Sequence, residues 1–245
     1  MSIVNAYGPV TVRTSSTNQL VVTATPHSSK VEIDQSKNDA RVEMRSHILQ
    51  QASPAEAQVE YDVQLPPGVS LWVRSSDGPI SVTGVRAADV TCDGESARVE
   101  VSDGGSGHVH VRTVSGEIVL TNLKDAHTEI ESISGDIVVR GVSGRFVSVN
   151  TTKGKISYDG GFEGGGEYVF STHSGGINVT MPGDASVEVS ARSVMGTVED
   201  SVHMQPAPHP SFAPSQGKAL AGVLNAGASS VRLRSMTGNI TVKKK

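Results

Sequence analysis

Between Leu71 and Gly161 a phrase of the form Ser/Asp–Gly–x–Ile–x–Val recurs at a fixed interval of 19 residues, and no other feature restricts the fold as much. Set in register, Gly78, Ala97, Gly116, Gly135 and Gly154 fall in one column. Two places on come Ile80, Val99, Ile118, Ile137 and Ile156, then Val82, Val101, Leu120, Val139 and Tyr158. Upstream, Leu71, Val90, Val109, Thr128 and Val147 align, as do Val73, Cys92, Val111, Ile130 and Val149. Five passes without insertion or deletion predict stacked coils, each burying a few aliphatic side chains against its neighbours. At about 3.3 Å per residue one coil has a contour near 60 Å, room for two or three short strands joined by corners.

The columns also predict which way side chains point. Apolar residues alternate with polar ones on both sides of the glycine column, so one face turns inward and the other meets water. The glycine column marks a corner where a positive φ is wanted and a Cβ would clash. A second corner falls at Gly84, Asp103, Asn122, Gly141 and Gly160, residue types that tolerate the left-handed region. Composition agrees with this plan. Only 36% of the chain is hydrophobic and 4% aromatic, too little for a large globular core but sufficient for thin rungs. No window carries a helical period with caps.

The expected architecture is an all-β solenoid, a parallel β-helix-like stack of ~19-residue rungs, with N-terminal antiparallel strands packing as a cap. Residues 1–68 read as the cap region, with Val31–Ile33 facing Arg41–Met44 across a turn at Ser36–Asp39. Residues 69–200 form the rungs, the register slipping by two residues at Phe170–Val179. Residues 201–222, with Pro206, Pro208, Pro210 and Pro214, form an excursion, because proline cannot continue a ladder. Residues 223–245 make a final rung, and Lys243–Lys245 reads as a charged stop against further strand addition. All four parts belong to one continuous domain.

The phrases Ser115-Gly116-Glu117-Ile118, Ser134-Gly135-Asp136-Ile137 and Thr237-Gly238-Asn239-Ile240 carry a resemblance. With Leu65-Pro66-Pro67-Gly68 and Gly8-Pro9-Val10-Thr11-Val12, they are similar to the bacterial putative-adhesin family of uncharacterised β-solenoid domains. The resemblance spans essentially the whole chain. It implies a β-solenoid, exported or attached to the cell envelope, with no catalytic residues to carry over.

Several function classes are set aside by the residues themselves. A net charge of −4 argues against a nucleic-acid partner, which calls for a basic stripe. No apolar run approaches the length of a membrane span. The single Cys92 shares its column with Val73 and Val111 and reads as a small buried hydrophobe. No cofactor is expected.

Three surface features need weighing. His108 and His127 share an outward column with Asp89 and Phe146, and His110 and Glu129 share the next. Two adjacent rungs thus gather His108, His110, His127 and Glu129, a possible first-row metal set because Zn²⁺ takes imidazole nitrogen and carboxylate oxygen. A solvated strand face is the favoured reading, since nothing supplies a supporting shell. The Asp93, Arg112, Glu131 and Asn150 column alternates in sign and reads as cross-strand pairing. For catalysis the candidates near the glycine corner are Asp77, Glu117 and Asp136 with Arg98 and Lys155, scattered among columns without an acid/base pair. Gly-rich Asp103–Gly107 and Asp159–Gly161 lack the tandem repetition of calcium-binding coils.

The expectation is therefore a non-catalytic scaffold that recognises an unknown macromolecule or envelope component along a strand face, as a monomer. Its place would be extracellular, periplasmic or at the cell surface, the leader being absent from the chain, with the cytoplasm as the alternative. The runner-up is a self-assembling, filament-forming structural protein. A polysaccharide-active β-helix enzyme ranks third.

Overall fold

Period-2 alternation drives the backbone into strands, and the 19-residue interval lays those strands directly over one another. The computed structural model describes residues 1–245 except Asp39, His209 and Ser211. Asp39 of the expected turn, two positions of the proline-rich segment and the Ser106 side chain lie outside the described residues. The N-terminal part holds β1 (Ser2–Asn5), β2 (Val10–Thr14), β3 (Val21–Pro26), β4 (Val31–Lys37), β5 (Val42–Ile48) and β6 (Val59–Leu65). Regular coils follow as pairs: β7 (Leu71–Ser75) and β8 (Ile80–Thr83), β9 (Asp89–Gly94) and β10 (Val99–Ser102), β11 (Gly105–Thr113) and β12 (Ile118–Thr121). Next are β13 (Lys124–Ser132) and β14 (Ile137–Arg140), then β15 (Phe146–Thr151) and β16 (Ile156–Asp159). The C-terminal part holds β17 (Glu167–Thr172), β18 (Ile177–Met181), β19 (Val187–Ser193), β20 (Val198–Asp200), β21 (Gln205–Pro206), β22 (Ala219–Leu224), β23 (Ser229–Ser235) and β24 (Ile240–Lys244).

The first strand of each pair joins a major sheet of 13 strands and the second a minor sheet of 11, counted among the described residues. Each rung is thus two short strands facing each other across a thin core. Ile118 pairs with Ile137 and Val111 with Ile130, one interval apart, as the columns require. Inward columns are fully buried: Val99, Ile118, Ile137 and Ile156 on the minor sheet face Cys92, Val111, Ile130 and Val149 on the major. Cys92 sits between Val73 and Val111, and burial pushes its thiol up to about 12, so it behaves as the hydrophobe its column predicts. Towards the C-terminal end the fill becomes aromatic. Tyr158, Phe162, Tyr168 and Phe170 form one cluster, with the Tyr158 and Tyr168 hydroxyls donating to Gly161 O at 2.8 Å and Gly144 O at 2.7 Å.

The two corners obey different rules. In the Gly78 column every glycine but Gly8 keeps an ordinary φ, so the positive-φ expectation fails there and the Cβ clash alone explains the residue. A Cβ on Gly116, Gly135 or Gly154 would sit 1.7, 2.0 or 1.9 Å from the carbonyl oxygen of the rung beneath. Three residues before each glycine a buried hydroxyl closes the turn. Gly78, Gly135, Gly154 and Gly175 N–H donate to Ser75, Ser132, Thr151 and Thr172 at 2.8–3.1 Å. Left-handed backbone belongs to the other corner, at Gly84 (φ 70), Asp103 (φ 55), Asn122 (φ 54) and Gly141 (φ 60), though not at Gly160. There Asn122 Nδ2 donates to Asp103 Oδ1 at 3.0 Å across one rung.

Both termini depart from stacking in chain order. β1 lies between β5 and β7, and β2 between β6 and β8, all parallel, so residues 2–14 make an inner rung. At the other end β23 lies between β17 and β19, and β24 between β18 and β20. The Lys243–Lys245 run therefore does not end a sheet, contrary to its reading as a stop. The N-terminal end is closed by antiparallel strands, β3 against β6 and β4 against β5 in the expected hairpin. β2 and β3 are not partners; both pair with β6. At the C-terminal end β22 pairs antiparallel with β19, and β21 adds a short outer piece.

Candidate recognition face

Three outward columns cover the centre of the major sheet, and pairing in register brings their side chains into cross-rung contact. In the first, His108, His127 and Phe146 stack: the two imidazole centroids lie 4.6 Å apart, and His127 lies 4.2 Å from the Phe146 ring, nearly parallel at 17°. In the second, Glu129 receives both neighbouring histidines, His127 Nε2 at 3.2 Å from Oε1 and His110 Nδ1 at 3.4 Å from Oε2. The hydrogen bond from His127 holds the Glu129 carboxyl below its ordinary value, and that from His110 adds to it. The third column carries the alternating charges. Arg112 Nε and Nη2 both donate to Glu131 Oε2, at 3.0 and 2.6 Å, while Asp93 Oδ2 accepts Trp72 Nε1 at 3.0 Å.

Where the third column meets the glycine corner, two shallow grooves flank Val114. One, of ≈ 620 Å³, runs past Arg74, Asp93, Glu95 and Arg112; the other, of ≈ 420 Å³, past Glu131, Ile133, Asn150 and Thr152. Both are open, and their charged side chains already have partners: Arg74 pairs with Glu95, Arg112 with Glu131, and Asp93 accepts Trp72 Nε1.

The structure brings His108, His110, His127 and Glu129 onto one patch, but as a hydrogen-bonded and stacked set. Among the described residues no group of three or more His, Cys, Asp or Glu converges to hold a metal ion. The carboxylates considered for catalysis are each spent on a partner in the adjoining rung. Asp77 accepts Ser96 Oγ at 2.8 Å, Asp136 accepts the Lys155 N–H at 2.8 Å, and Glu117 pairs with Arg98. Sequence reasoning missed the buried corner hydroxyls, although the Ser/Thr-x-x-Gly spacing that announces them is visible in every regular pass except Gly94–Ala97. It also missed the His127–Phe146 stack, whose only signal was a shared column.

A family model described as Toastrack DUF4097 matches residues 1–243. No match was found among curated proteins. A solved structure described as a putative cell adhesion protein from Clostridium sporogenes aligns over 100% of this chain and 91% of its own, at 11% identity and a TM-score of 0.26.

Proposed function

The chain belongs to the Toastrack DUF4097 family, and from that premise we propose that it is a non-catalytic recognition scaffold whose major-sheet face binds an extended polysaccharide of the cell envelope. The observation that carries this reading is the His108–His127–Phe146 stack, flanked by Glu129 and by the Arg112–Glu131 pair. Rungs about 4.8 Å apart hold these groups in register on one face of the sheet. Stacked in a row, the rings present a band of ring edges along the strand face for a sugar to lie against, and the carboxylates and guanidinium beside them offer hydrogen bonds to its hydroxyls. Binding to a preformed face loses little ordering entropy, which suits many weak contacts along a polymer. An exported or envelope-attached location goes with such a ligand.

Co-sedimentation with purified peptidoglycan and wall polysaccharides tests the reading. The wild-type protein should pellet with at least one of them. The double variant His127→Ala/Phe146→Ala should bind about tenfold more weakly, a loss of roughly 1.4 kcal/mol, with an unchanged melting curve. Equal binding by both proteins, or no binding by the wild type to any envelope polymer, refutes the proposal.

A further inference from the structure

Among the described residues six large apolar side chains are exposed, and five of them lie on the glycine corner: Val114, Ile133, Val194, Met195 and Met236. Stacking brings the last three together. Met236 N–H donates to Thr172 O at 3.3 Å and Met195 N–H to Met236 O at 2.8 Å, so the turns after β17, β23 and β19 lie side by side. Each turn is a convex tip, from which Met195 (70% exposed), Val194 (55%) and Met236 (42%) stand out.

Charge along this edge changes sign partway. In the turns after β7, β9, β11 and β13, Asp77, Glu95, Glu117 and Asp136 stand against Arg98 alone. The turns at 152–155, 173–176, 236–239 and 194–197 hold Lys153 and Lys155 and no acid. Two residues before Val194 and Met236, the exposed Arg192 and Arg234 are direct partners across β19 and β23. Their neighbour Arg232 pairs with Glu167 at 3.1 Å, but among the described residues no carboxylate lies within ion-pair reach of Arg192 or Arg234. Lys218 adds a third cation, its Nζ donating to Met195 O at 3.1 Å and Gly196 O at 2.9 Å. Like charges directly opposite on a sheet cost stability, so folding gives no reason for the arginine pair. An anion outside the chain does.

We propose that this basic half of the glycine corner docks on the surface of an anionic phospholipid bilayer. Val194, Met195 and Met236 enter the boundary between headgroups and acyl chains, while Arg192, Arg234, Lys218 and Lys153 meet the phosphates. The combination selects this occupant. A soluble acidic partner would satisfy the cations but would have to supply a groove for three protruding apolar side chains. A bilayer interface receives both, because its negative headgroups overlie an apolar interior that yields to a convex tip. The acidic half of the same corner is repelled by that surface, which tilts the stack so that its C-terminal end makes the contact. This site is separate from the His108–His127–Phe146 face and does not rest on the reading of that face.

Flotation of the full chain with lipid vesicles tests this. The protein should float with vesicles of phosphatidylglycerol and phosphatidylcholine in equal parts, release as salt is raised, and stay behind with phosphatidylcholine alone. Arg192→Gln/Arg234→Gln and Met195→Ser/Met236→Ser should each weaken binding about tenfold. The arginine variant should melt no lower than the wild type, since a like-charge pair is removed. Val194→Ser replaces the methionine variant should that one not fold, and Lys37→Gln, at the opposite end of the stack, should bind as the wild type does. No flotation with the anionic vesicles, equal flotation with both kinds, or equal losses from Lys37→Gln and the arginine variant overturns the proposal. So does binding to soluble polyglutamate as tight as to the vesicles and unmoved by the methionine variant, which would mark an acidic protein as the partner.

Discussion

At the scale of single residues, each rung depends on atoms that must be absent or satisfied. The glycine corner shows the first case. Ala97 is the one non-glycine among Gly78, Gly116, Gly135 and Gly154, and its rung carries Gly94 where the others have Ser or Thr. A Cβ on Gly94 would come 3.3 Å from the Ala97 Cβ and 3.2 Å from Thr113 Cγ2, so one missing side chain makes room for the other's methyl. Thr128 shows the second case. It is fully buried in a column between Val109 and Val147, and its hydroxyl finds no hydrogen-bond partner among the described residues. Removing an unsatisfied buried hydroxyl while keeping the shape should stabilise, since the desolvation cost is lifted and no contact is lost. Thr128→Val is expected to raise the free energy of unfolding by about 1–2 kcal/mol, read from urea melts with an unchanged slope. A loss of stability would mean that the hydroxyl is bonded and the column is not simply apolar.

At the scale of strands, the regular coils were legible because identical spacing can be satisfied only by stacking. Ile80, Val99, Ile118, Ile137 and Ile156 leave no other register that buries every one of them. The order of the last rungs was not legible. Ile156, Ile177 and Val198 continue at a spacing of 21, as though stacked in turn, yet Ile240 pairs with both Ile177 and Val198 and separates them. All of these rungs offer the same inward aliphatics and the same corner, so the pattern is indifferent to their order. For the same reason β1 and β2, which read as cap strands, fit between rungs. Contacts close the question: the N-terminal amine donates to Ser70 O at 2.8 Å, and Trp72 N to Met1 O at 2.9 Å. Chain ends usually fray, but a strand flanked on both sides opens only when its neighbours do. Hydrogen exchange should therefore find the amides of Ile3–Val4 and Val231–Leu233 protected like those of β13, with β3 and β4 exchanging faster. Loop-like exchange in β1 or β23 would contradict the inserted order. The candidate face was legible only as columns. Which way the imidazoles turn depends on Glu129 and Phe146 together, and spacing does not encode that competition.

At the scale of the whole molecule, the question is whether so thin a stack unfolds rung by rung or as a unit. Each rung touches mainly the one above and the one below, which favours piecewise melting. The interleaved ends oppose it, because residues 1–14 are held by residues 42–83, and residues 229–244 by residues 167–200. No terminal segment can leave without uncovering rungs distant in sequence, so local opening is linked to opening elsewhere. The single tryptophan provides a test. Trp72 lies on β7, three rungs from Ile130, which is fully buried on β13 between Val111 and Val149. Ile130→Ala should cost about 3 kcal/mol through lost burial and an unfilled cavity. In a stack that unfolds as one body, the fluorescence transition of Trp72 and the loss of β signal by circular dichroism shift together, to the same lower denaturant midpoint. If the rungs melt independently, Trp72 keeps its wild-type midpoint while the circular dichroism curve broadens and moves. Such a split would also confine any signal carried by the major-sheet face to the rungs that bind.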